Sequence, residues 1–235
     1  MSGKLLLAAR TLMVFNSILL RNIIMIKVIK NILPLSKAEE LLTSINNTSG
    51  SWWSYAYKFN EESPKMLGNN LSSLAMQKDL EQNVKYNLNA GKFTYKFRRS
   101  TKHVDACNCY ECNFSTEYLL KSIRTITISE THLENPYLQE RFISIYSPGD
   151  FLSMHTDGAR SIAFVLNLTK NWLPEYGGLL HTKNKDGTYT AYVPEFNSLM
   201  LMDVSDESCP HFVSEVSKYA PDNRIAISGW YNDPS

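Results

Sequence analysis

The chain has 235 residues, of which 43% are hydrophobic and 11% aromatic. This length is sufficient for one domain with a large core, and the composition excludes a disordered tail. The 24 basic and 23 acidic residues nearly cancel, so we expect no nucleic-acid partner of the kind that depends on gross positive charge. No apolar run reaches the roughly 18–20 residues that a transmembrane helix needs, and none is predicted.

The beginning of the chain differs in charge from the rest. The first 38 residues contain six basic side chains and no acidic one, because Glu39 is the first acid. We interpret residues 1–24 as a basic, apolar N-terminal extension. The alternatives are an organelle-targeting segment and a packed first helix or strand. The expected compartment is the cytoplasm, with an organelle as the alternative.

Residues 25–139 are predicted to form a helical and aromatic region that supports the rest of the domain. A capping-box signature at Ser36 and Glu39 is followed by apolar residues at helical spacing. In chain order the pattern predicts a helix over 37–47, an ordered aromatic loop over 46–70, a half-buried strand from Phe93, and a second helix capped by Ser115.

Three of the four cysteines lie close together after a histidine. The spacing is H-x3-C-x-C-x2-C, formed by His103, Cys107, Cys109 and Cys112. Zinc takes about four nitrogen or sulfur ligands, so this segment is a candidate structural zinc site. Reduced thiols in a polar loop are the alternative interpretation. Cys209 stands apart and is expected to be a small apolar residue.

Residues 140–235 are dominated by short β-type runs separated by turn signals. The runs are 141–147, 161–168, 178–182, 188–193, 199–204, 212–216 and 224–231. Many short strands at this spacing are typical of a sandwich, a barrel or a jelly roll. The predicted fold class is α+β and mainly β: a double-stranded β-helix (jelly roll) with N-terminal supporting helices. Residues 25–235 are expected to be one structural domain.

Three residues of this β region are candidate metal ligands. His155-x-Asp157 ends a β-run, and in a strand residues i and i+2 project to the same face. His211 lies at the start of a later run. Two imidazoles and one carboxylate make the facial triad that binds non-haem Fe(II) and leaves positions open. The pattern alone is weak evidence, because His and Asp are common near turns.

The last predicted strand adds a candidate anion site. Arg224 opens it, and Ser228 and Trp230 share its face because side chains alternate along a strand. A buried Arg beside a hydroxyl binds a carboxylate through charge-assisted hydrogen bonds. Tyr146, on the run before His155, offers a phenol to the same ligand. The alternative is that Arg224 is a charge on the surface of the strand.

Together these motifs resemble the 2-oxoglutarate/Fe(II) dioxygenases. They are Tyr146-x8-His155-x-Asp157, Gly177-Gly178, Pro210-His211-x-Val213 and Arg224-x-Ala226-Ile227-x2-Trp230. The similarity is greatest to the prolyl hydroxylase group. The runs that are particularly like its ribosomal prolyl hydroxylase branch are Arg160-Ser-Ile-Ala-Phe and His211-Phe-Val-Ser-Glu-Val. The resemblance covers about residues 140–234.

The resemblance implies roles for residues of this chain. Iron would be bound by the catalytic residues His155, Asp157 and His211, with 2-oxoglutarate and O2 as co-substrates and ascorbate as a candidate reductant. The co-substrate would be bound by Arg224, Tyr146, Ser228 and Asn167. Asn167 departs from the family pattern, because relatives often carry a tyrosine there. Arg160 and Trp230 are the candidate substrate-facing residues, and segments 46–70 and 93–113 are candidate lids.

The implied function is hydroxylation of a protein or peptide substrate, at a prolyl residue, with release of succinate and CO2. Nucleobase demethylases of this superfamily carry an R-x5-R pattern, but residue 230 here is Trp. A free amino acid or a small metabolite is the alternative substrate. A non-catalytic, cupin-like metal-binding module is the alternative class. The sequence predicts no particular oligomeric state.

Overall fold

The computed structural model describes residues 26–48, 53–59, 65–68, 74–100, 118–205 and 209–233. The N-terminal extension and the histidine–cysteine cluster with Cys107 lie outside these residues, so the predictions made for them stay predictions. Within the described ranges, none of the helices is long and apolar enough to cross a membrane.

Helices and strands alternate in the first half of the chain. Their order is β1 (Ile26–Lys30), α1 (Leu35–Asn47), β2 (Trp53–Phe59), β3 (Lys65–Gly68), α2 (Leu74–Asn89), β4 (Thr94–Ser100) and α3 (Leu120–Glu130). The second half consists of strands: β5 (Tyr137–Tyr146), β6 (Phe151–His155), β7 (Ile162–Asn167), β8 (Leu180–Lys183), β9 (Tyr189–Tyr192), β10 (Ser198–Asp203), β11 (His211–Val213) and β12 (Arg224–Asn232).

The strands form one curled sheet with antiparallel pairing. Its order is β1-β10-β7-β12-β5-β4-β6-β11-β8-β9, and the β2–β3 hairpin extends it through β4. Strand β4 joins the two halves, because Arg98 and Arg99 pair with β5 while Tyr95 and Lys96 pair with β6. The sheet therefore curls so that β5–β12–β7 faces β6–β11–β8, as in the predicted double-stranded β-helix.

Alternate residues of strands β5, β12, β7 and β10 pack into two different apolar clusters. One face packs against helices α1 and α3, which contribute Ala38, Leu41, Ile45 and Ile123 to a continuous apolar cluster. The opposite face points into the curl and belongs to a second cluster, rich in aromatic side chains. The apolar periodicity of α1 is therefore explained by its burial against the outside of the sheet.

Three predictions about the first half need correction. Helix α1 begins at Leu35 after Pro34, with no side-chain capping hydrogen bond, so the capping box at Ser36 is not formed. The predicted aromatic loop contains the β2–β3 hairpin. Residues 94–100 of one proposed lid are strand β4, whose hydrogen bonds tie it into the sheet.

Helix α2 was not predicted at all. Its buried positions include Leu80 and Asn87, with Val84 half-buried between them. These three residues do lie at helical spacing. Because a polar Asn occupies one of the core-facing positions, the apolar pattern that would indicate a helix is incomplete.

Candidate active site

A cavity of about 370 Å³ opens inside the curl of the sheet. Its walls are the inner faces of β4, β5, β12 and β6, together with β11 and the loop after β6. The lining includes the predicted residues Tyr146, His155, Asp157, Arg160, His211, Arg224, Ser228 and Trp230. The volume is within the range of ordinary small-molecule sites.

The three candidate metal ligands converge in this cavity. His155 and His211 are direct cross-strand partners of β6 and β11, and their rings lie 4.3 Å apart. The Nε2 atoms of His155 and His211 lie 3.5 Å and 3.8 Å from the carboxylate oxygens of Asp157. All three ligand atoms lie within 4.8 Å of one another. The spacing suits a single ion.

Backbone contacts fix the orientation of both imidazoles. The Nδ1 atom of His155 lies 3.0 Å from the carbonyl oxygen of Ser153, and that of His211 lies 2.8 Å from the carbonyl oxygen of Cys209. In the neutral form of each ring the proton is on Nδ1 and is donated to these carbonyls, so that Nε2 presents its lone pair to the cavity. Such outer contacts are usual for metal-binding histidines.

Asp157 reaches the site by a route that the sequence did not predict. Strand β6 ends at His155, so Asp157 does not lie on the strand and the i, i+2 argument does not apply to it. The chain turns directly afterwards, with positive φ at Gly158 and at Ala159. The turn, and not strand alternation, brings the carboxylate back towards His155 and His211.

The ionisation of these groups favours cation binding. Burial opposes the charged form of Asp157, but the hydrogen bond with His155 and the charges of the two imidazoles outweigh it and lower its pKa to about 2. Burial, followed by the charge of His155, lowers the pKa of His211 to about 4. At neutral pH the site therefore offers a carboxylate and a neutral imidazole on His211, which are ligand forms.

Trp230 and Arg160 contact the carboxylate from its other side. The indole N–H of Trp230 donates to Asp157 Oδ2 at 2.8 Å. Arg160 places Nη1 3.7 Å from Asp157 Oδ1, and its guanidinium stacks on the Trp230 ring at 3.8 Å. Both predicted substrate-facing residues thus lie next to a candidate metal ligand.

Arg224 lies in the same cavity as a buried cation. Its exposed fraction is 3%, and within the described residues it forms no ion pair and its Nε has no hydrogen-bond partner. It lies opposite Tyr146 in the β5–β12 pairing, with its guanidinium 4.9 Å from that ring. Burial raises the pKa of Tyr146 to about 12, which keeps the phenol protonated. A buried, incompletely paired guanidinium favours an anionic ligand.

The Gly177-Gly178 motif makes room for Arg224. Gly178 has φ of +62°, and a Cβ atom there would lie 3.1 Å from Arg224 Cδ. At Gly177, a Cβ atom would lie 2.1 Å from the carbonyl oxygen of Glu215. A side chain at either position would displace its neighbours and move the wall of the cavity next to Arg224.

Two predicted co-substrate residues have different positions. Ser228 lines the cavity, on the face that it shares with Arg224. Asn167 does not: it is buried, and its amide donates to Ser198 Oγ at 3.2 Å on neighbouring β10. Asn167 is therefore not part of the cavity lining. Cys209 is buried, and its thiol is free.

Sequence reasoning missed the wall formed by strand β4. Phe93 stacks on His155 at 5.0 Å, and the rings of Tyr95 and Phe97 continue from it towards Tyr146. The alternation that predicted a strand from Phe93 already placed these aromatic residues on one face. The missing information was which strands lie on either side of β4.

The β core is similar in sequence to known proteins. Residues 142–232 match the 2OG-Fe(II) oxygenase superfamily. Over about 100 residues, 38% of this chain, the sequence is 34% identical to prolyl 3,4-dihydroxylase OGFOD1 of Ostreococcus tauri and 35% identical to prolyl 3-hydroxylase OGFOD1 of Mus musculus. The aligned segment spans only about a fifth of either relative.

The fold has a counterpart among solved structures. An oxidoreductase of the 2OG-Fe(II) oxygenase family from Burkholderia pseudomallei superposes with a TM-score of 0.58 at 10% identity, over 88% of this chain and 84% of that one. At such low identity the likeness concerns the fold alone. The sequence match and the jelly-roll architecture together lead to one conclusion: the β core of this chain is similar to the 2OG-Fe(II) oxygenase superfamily in sequence over residues 142–232 and in fold.

Proposed function

We propose that the chain is an Fe(II)- and 2-oxoglutarate-dependent dioxygenase that hydroxylates a prolyl residue of a protein substrate. The observation that carries this proposal is the convergence, in one cavity, of a His-Asp-His ligand set and a buried guanidinium without an anionic partner among the described residues. In the net reaction, 2-oxoglutarate and O2 give succinate and CO2, and the second oxygen atom becomes the hydroxyl group of the product.

The donor set fits Fe(II). His155, Asp157 and His211 would hold the ion, because two Nε2 lone pairs and one carboxylate face a common point. Bound iron would supply the O2 and one-electron chemistry that side chains cannot perform. The role of the chain is then to orient these ligands through the Ser153 and Cys209 carbonyls and the Trp230 indole.

The deeper part of the cavity fits 2-oxoglutarate. Arg224 would bind the distal carboxylate with charge-assisted hydrogen bonds, and the protonated phenol of Tyr146 would donate a further one. Ser228 lines the same cavity but lies four residues, about 13 Å, further along β12, so its hydroxyl would meet the co-substrate only at the end away from Arg224. Asn167 donates a hydrogen bond to Ser198 and is not among the residues that line the cavity, so we assign it a structural role.

The substrate assignment is supported by the curated relatives, both of which are named as prolyl hydroxylases. Arg160 and Trp230 line the cavity beside Asp157 and would contact the substrate there. A free amino acid or a small metabolite is the competing substrate class. A non-catalytic, cupin-like module would bind metal without turning over 2-oxoglutarate.

Anaerobic addition of Fe(II) and 2-oxoglutarate tests the activity. We expect a weak visible charge-transfer band that disappears when O2 is admitted, with formation of succinate. Metal binding without succinate would identify a binding module and contradict the proposal. Running the reaction with and without ascorbate decides whether that reductant is needed.

The substrate class is tested by mass spectrometry. Proline-containing proteins incubated with the loaded enzyme should gain the mass of one oxygen, and replacement of the modified proline by alanine should abolish the gain. If succinate is formed but oxygen appears only on free amino acids or small metabolites, the protein-substrate part of the proposal is wrong.

A further inference from the structure

Five side chains form a cluster in the cavity lining, which we call the mouth clamp: Arg99, Glu140, Phe142, Arg160 and Trp230. The guanidinium of Arg99 lies 3.9 Å from the Phe142 ring centre, and that of Arg160 lies 3.8 Å from the Trp230 ring centre. The two rings are 5.8 Å apart, so two stacked cations lie side by side.

Glu140 bridges the two arginines. It lies directly opposite Trp230 in the β5–β12 pairing. Its Oε1 atom accepts a hydrogen bond from Arg99 Nη2 at 3.0 Å, and its Oε2 atom lies 3.6 Å from Arg160 Nη2. One carboxylate therefore sets the spacing of both guanidiniums along the cavity.

The ion pairs of Glu140 leave the two arginines accessible to a ligand. The side chains of Arg99, Arg160 and Glu140 are 22%, 26% and 37% exposed, and ion pairs with this access to water contribute little stability. Both ion pairs of Arg160, at 3.6 Å and 3.7 Å, are longer than a hydrogen bond. Within the described residues Arg160 makes no hydrogen bond, so its N–H donors remain available to a ligand.

The charged side chains of the mouth clamp do not cancel one another. Two arginines and one glutamate leave the clamp with a net charge of +1. The other anion near Arg160 is Asp157, whose charge would be committed to the metal under the proposed function. A guanidinium stacked on an aromatic ring presents its edge to a carboxylate in the plane that favours two parallel hydrogen bonds.

We propose that the mouth clamp is a specificity determinant that selects a peptide with a carboxylate side chain next to the residue brought to the metal. This inference rests on the proposed function and names the substrate class of the same site. Arg160 and Arg99 receive the carboxylate, and Glu140 keeps them at the right spacing. Phe142 and Trp230 hold both guanidiniums flat against the wall.

Binding of short labelled peptides tests this without requiring turnover. The peptides contain one proline in an alanine and glycine background, with Asp, Asn or Lys on either side of it. Fluorescence anisotropy is measured with protein loaded with Mn(II) and 2-oxoglutarate. We expect the Asp peptide to bind about two- to fivefold more tightly than the Asn peptide, and the Lys peptide to bind most weakly.

Variants of Arg99 provide the decisive comparison, because the contacts of Arg99 are with Glu140 and Phe142 and not with a candidate metal ligand. Arg99→Gln should remove most of the preference for Asp, and Arg99→Glu should reverse it in favour of Lys. The matched control Lys121→Gln loses the same charge on the exposed face of α3 and should keep the wild-type ranking. Thermal melts check that each variant is folded.

The outcomes separate this inference from the proposed function. Equal binding of the three peptides, no binding of any of them, or an unchanged ranking in folded Arg99 variants would overturn the clamp. Hydroxylation of a protein substrate with such an unchanged ranking would leave the proposed function intact. Charge-selective binding that depends on Arg99, without any oxygen transfer, would support the role of the mouth clamp in binding and contradict the proposed enzymatic function.

Discussion

The two faces of strands β5, β7, β10 and β12 show how one sheet can serve stability and chemistry separately. The face towards the helices carries large aliphatic residues such as Leu166, Leu199 and Ile227, which are fully buried. The face inside the curl carries Ala163 and Ala226 beside the aromatic residues Tyr146 and Trp230. The helix-facing side is closely packed, whereas the inner side lines the cavity.

The polar groups follow the same division. The helix-facing core is mainly apolar, and its buried Thr127 donates a hydrogen bond to the carbonyl oxygen of Ile123, whereas the inner face holds buried groups that are not fully satisfied, above all Arg224. An unsatisfied buried charge opposes folding, so it has to be compensated by packing elsewhere. We infer that packing in the helix-facing core compensates for the free energy that the buried charge of the site costs. Four predictions test this division between a stabilising face and a functional face.

The largest expected effect is at Asp157. Asp157→Ala should abolish succinate formation while the fold is kept, because it removes one of three converging ligands. In thermal melts the stabilisation of the wild-type protein by Mn(II) should be absent from the variant. The control Asp222→Ala removes an exposed carboxylate and should retain both properties. Normal succinate production by Asp157→Ala would contradict the metal assignment.

A second test uses Arg224→Met, which removes the buried charge at similar volume. We expect the apparent affinity for 2-oxoglutarate to fall roughly 10- to 100-fold, as for loss of hydrogen bonds to a charged group. The unliganded variant should melt at the same temperature as the wild type or higher, because an incompletely paired buried cation is gone. An unchanged affinity would place the co-substrate carboxylate elsewhere, and a large loss of apo stability would make Arg224 a structural residue.

Neighbouring residues on β7 compare the two faces directly. Leu166→Ala on the helix side should cost about 2–5 kcal/mol, since it leaves a cavity in a closely packed core. Val165→Ala on the cavity side should cost only about 1–2 kcal/mol, because it enlarges a space that already exists. Urea unfolding measures both values. Equal losses would mean that the two faces are packed alike.

The last prediction concerns Asp150, which is 1% exposed, close to Lys96 and near Arg98. Burial raises the pKa of Asp150 to about 6, against opposing contributions that include the Ser147 N–H and Lys96. A pKa raised on folding contributes stability that is complete below about pH 4 and is lost as the pH rises to about 6.

Asp150→Asn should remove this loss. The stability of the variant relative to the wild type should increase by about 2–3 kcal/mol between pH 4 and pH 7, a change followed by urea unfolding at each pH. The variant keeps an oxygen that accepts the Ser147 N–H. A difference between the two proteins that does not change with pH would show that folding does not raise the pKa of Asp150.

Much of the β core could be predicted from the sequence, because strand alternation is a local property. The runs around β5, β7, β8, β9, β10, β11 and β12 were placed within a few residues, and the shared face of Arg224, Ser228 and Trp230 was confirmed. Helix α2 and the β2–β3 hairpin were missed. Their local patterns, an Asn on a buried helix face and a run rich in Ser and Tyr, resemble those of loops.

The sequence by itself determined which functional groups are available: two histidines, one aspartate and one arginine, in an order that resembles a known family. It also determined, through strand alternation, which side chains share a face. The tertiary structure alone decided where these groups meet. The His155–His211 pair, the contact of Asn167 with Ser198 and the mouth clamp depend on pairings between distant strands. The turn at Gly158 and Ala159 then brings Asp157 to the two histidines. Local periodicity fixes the face on which a side chain lies, but only long-range pairing fixes its neighbours.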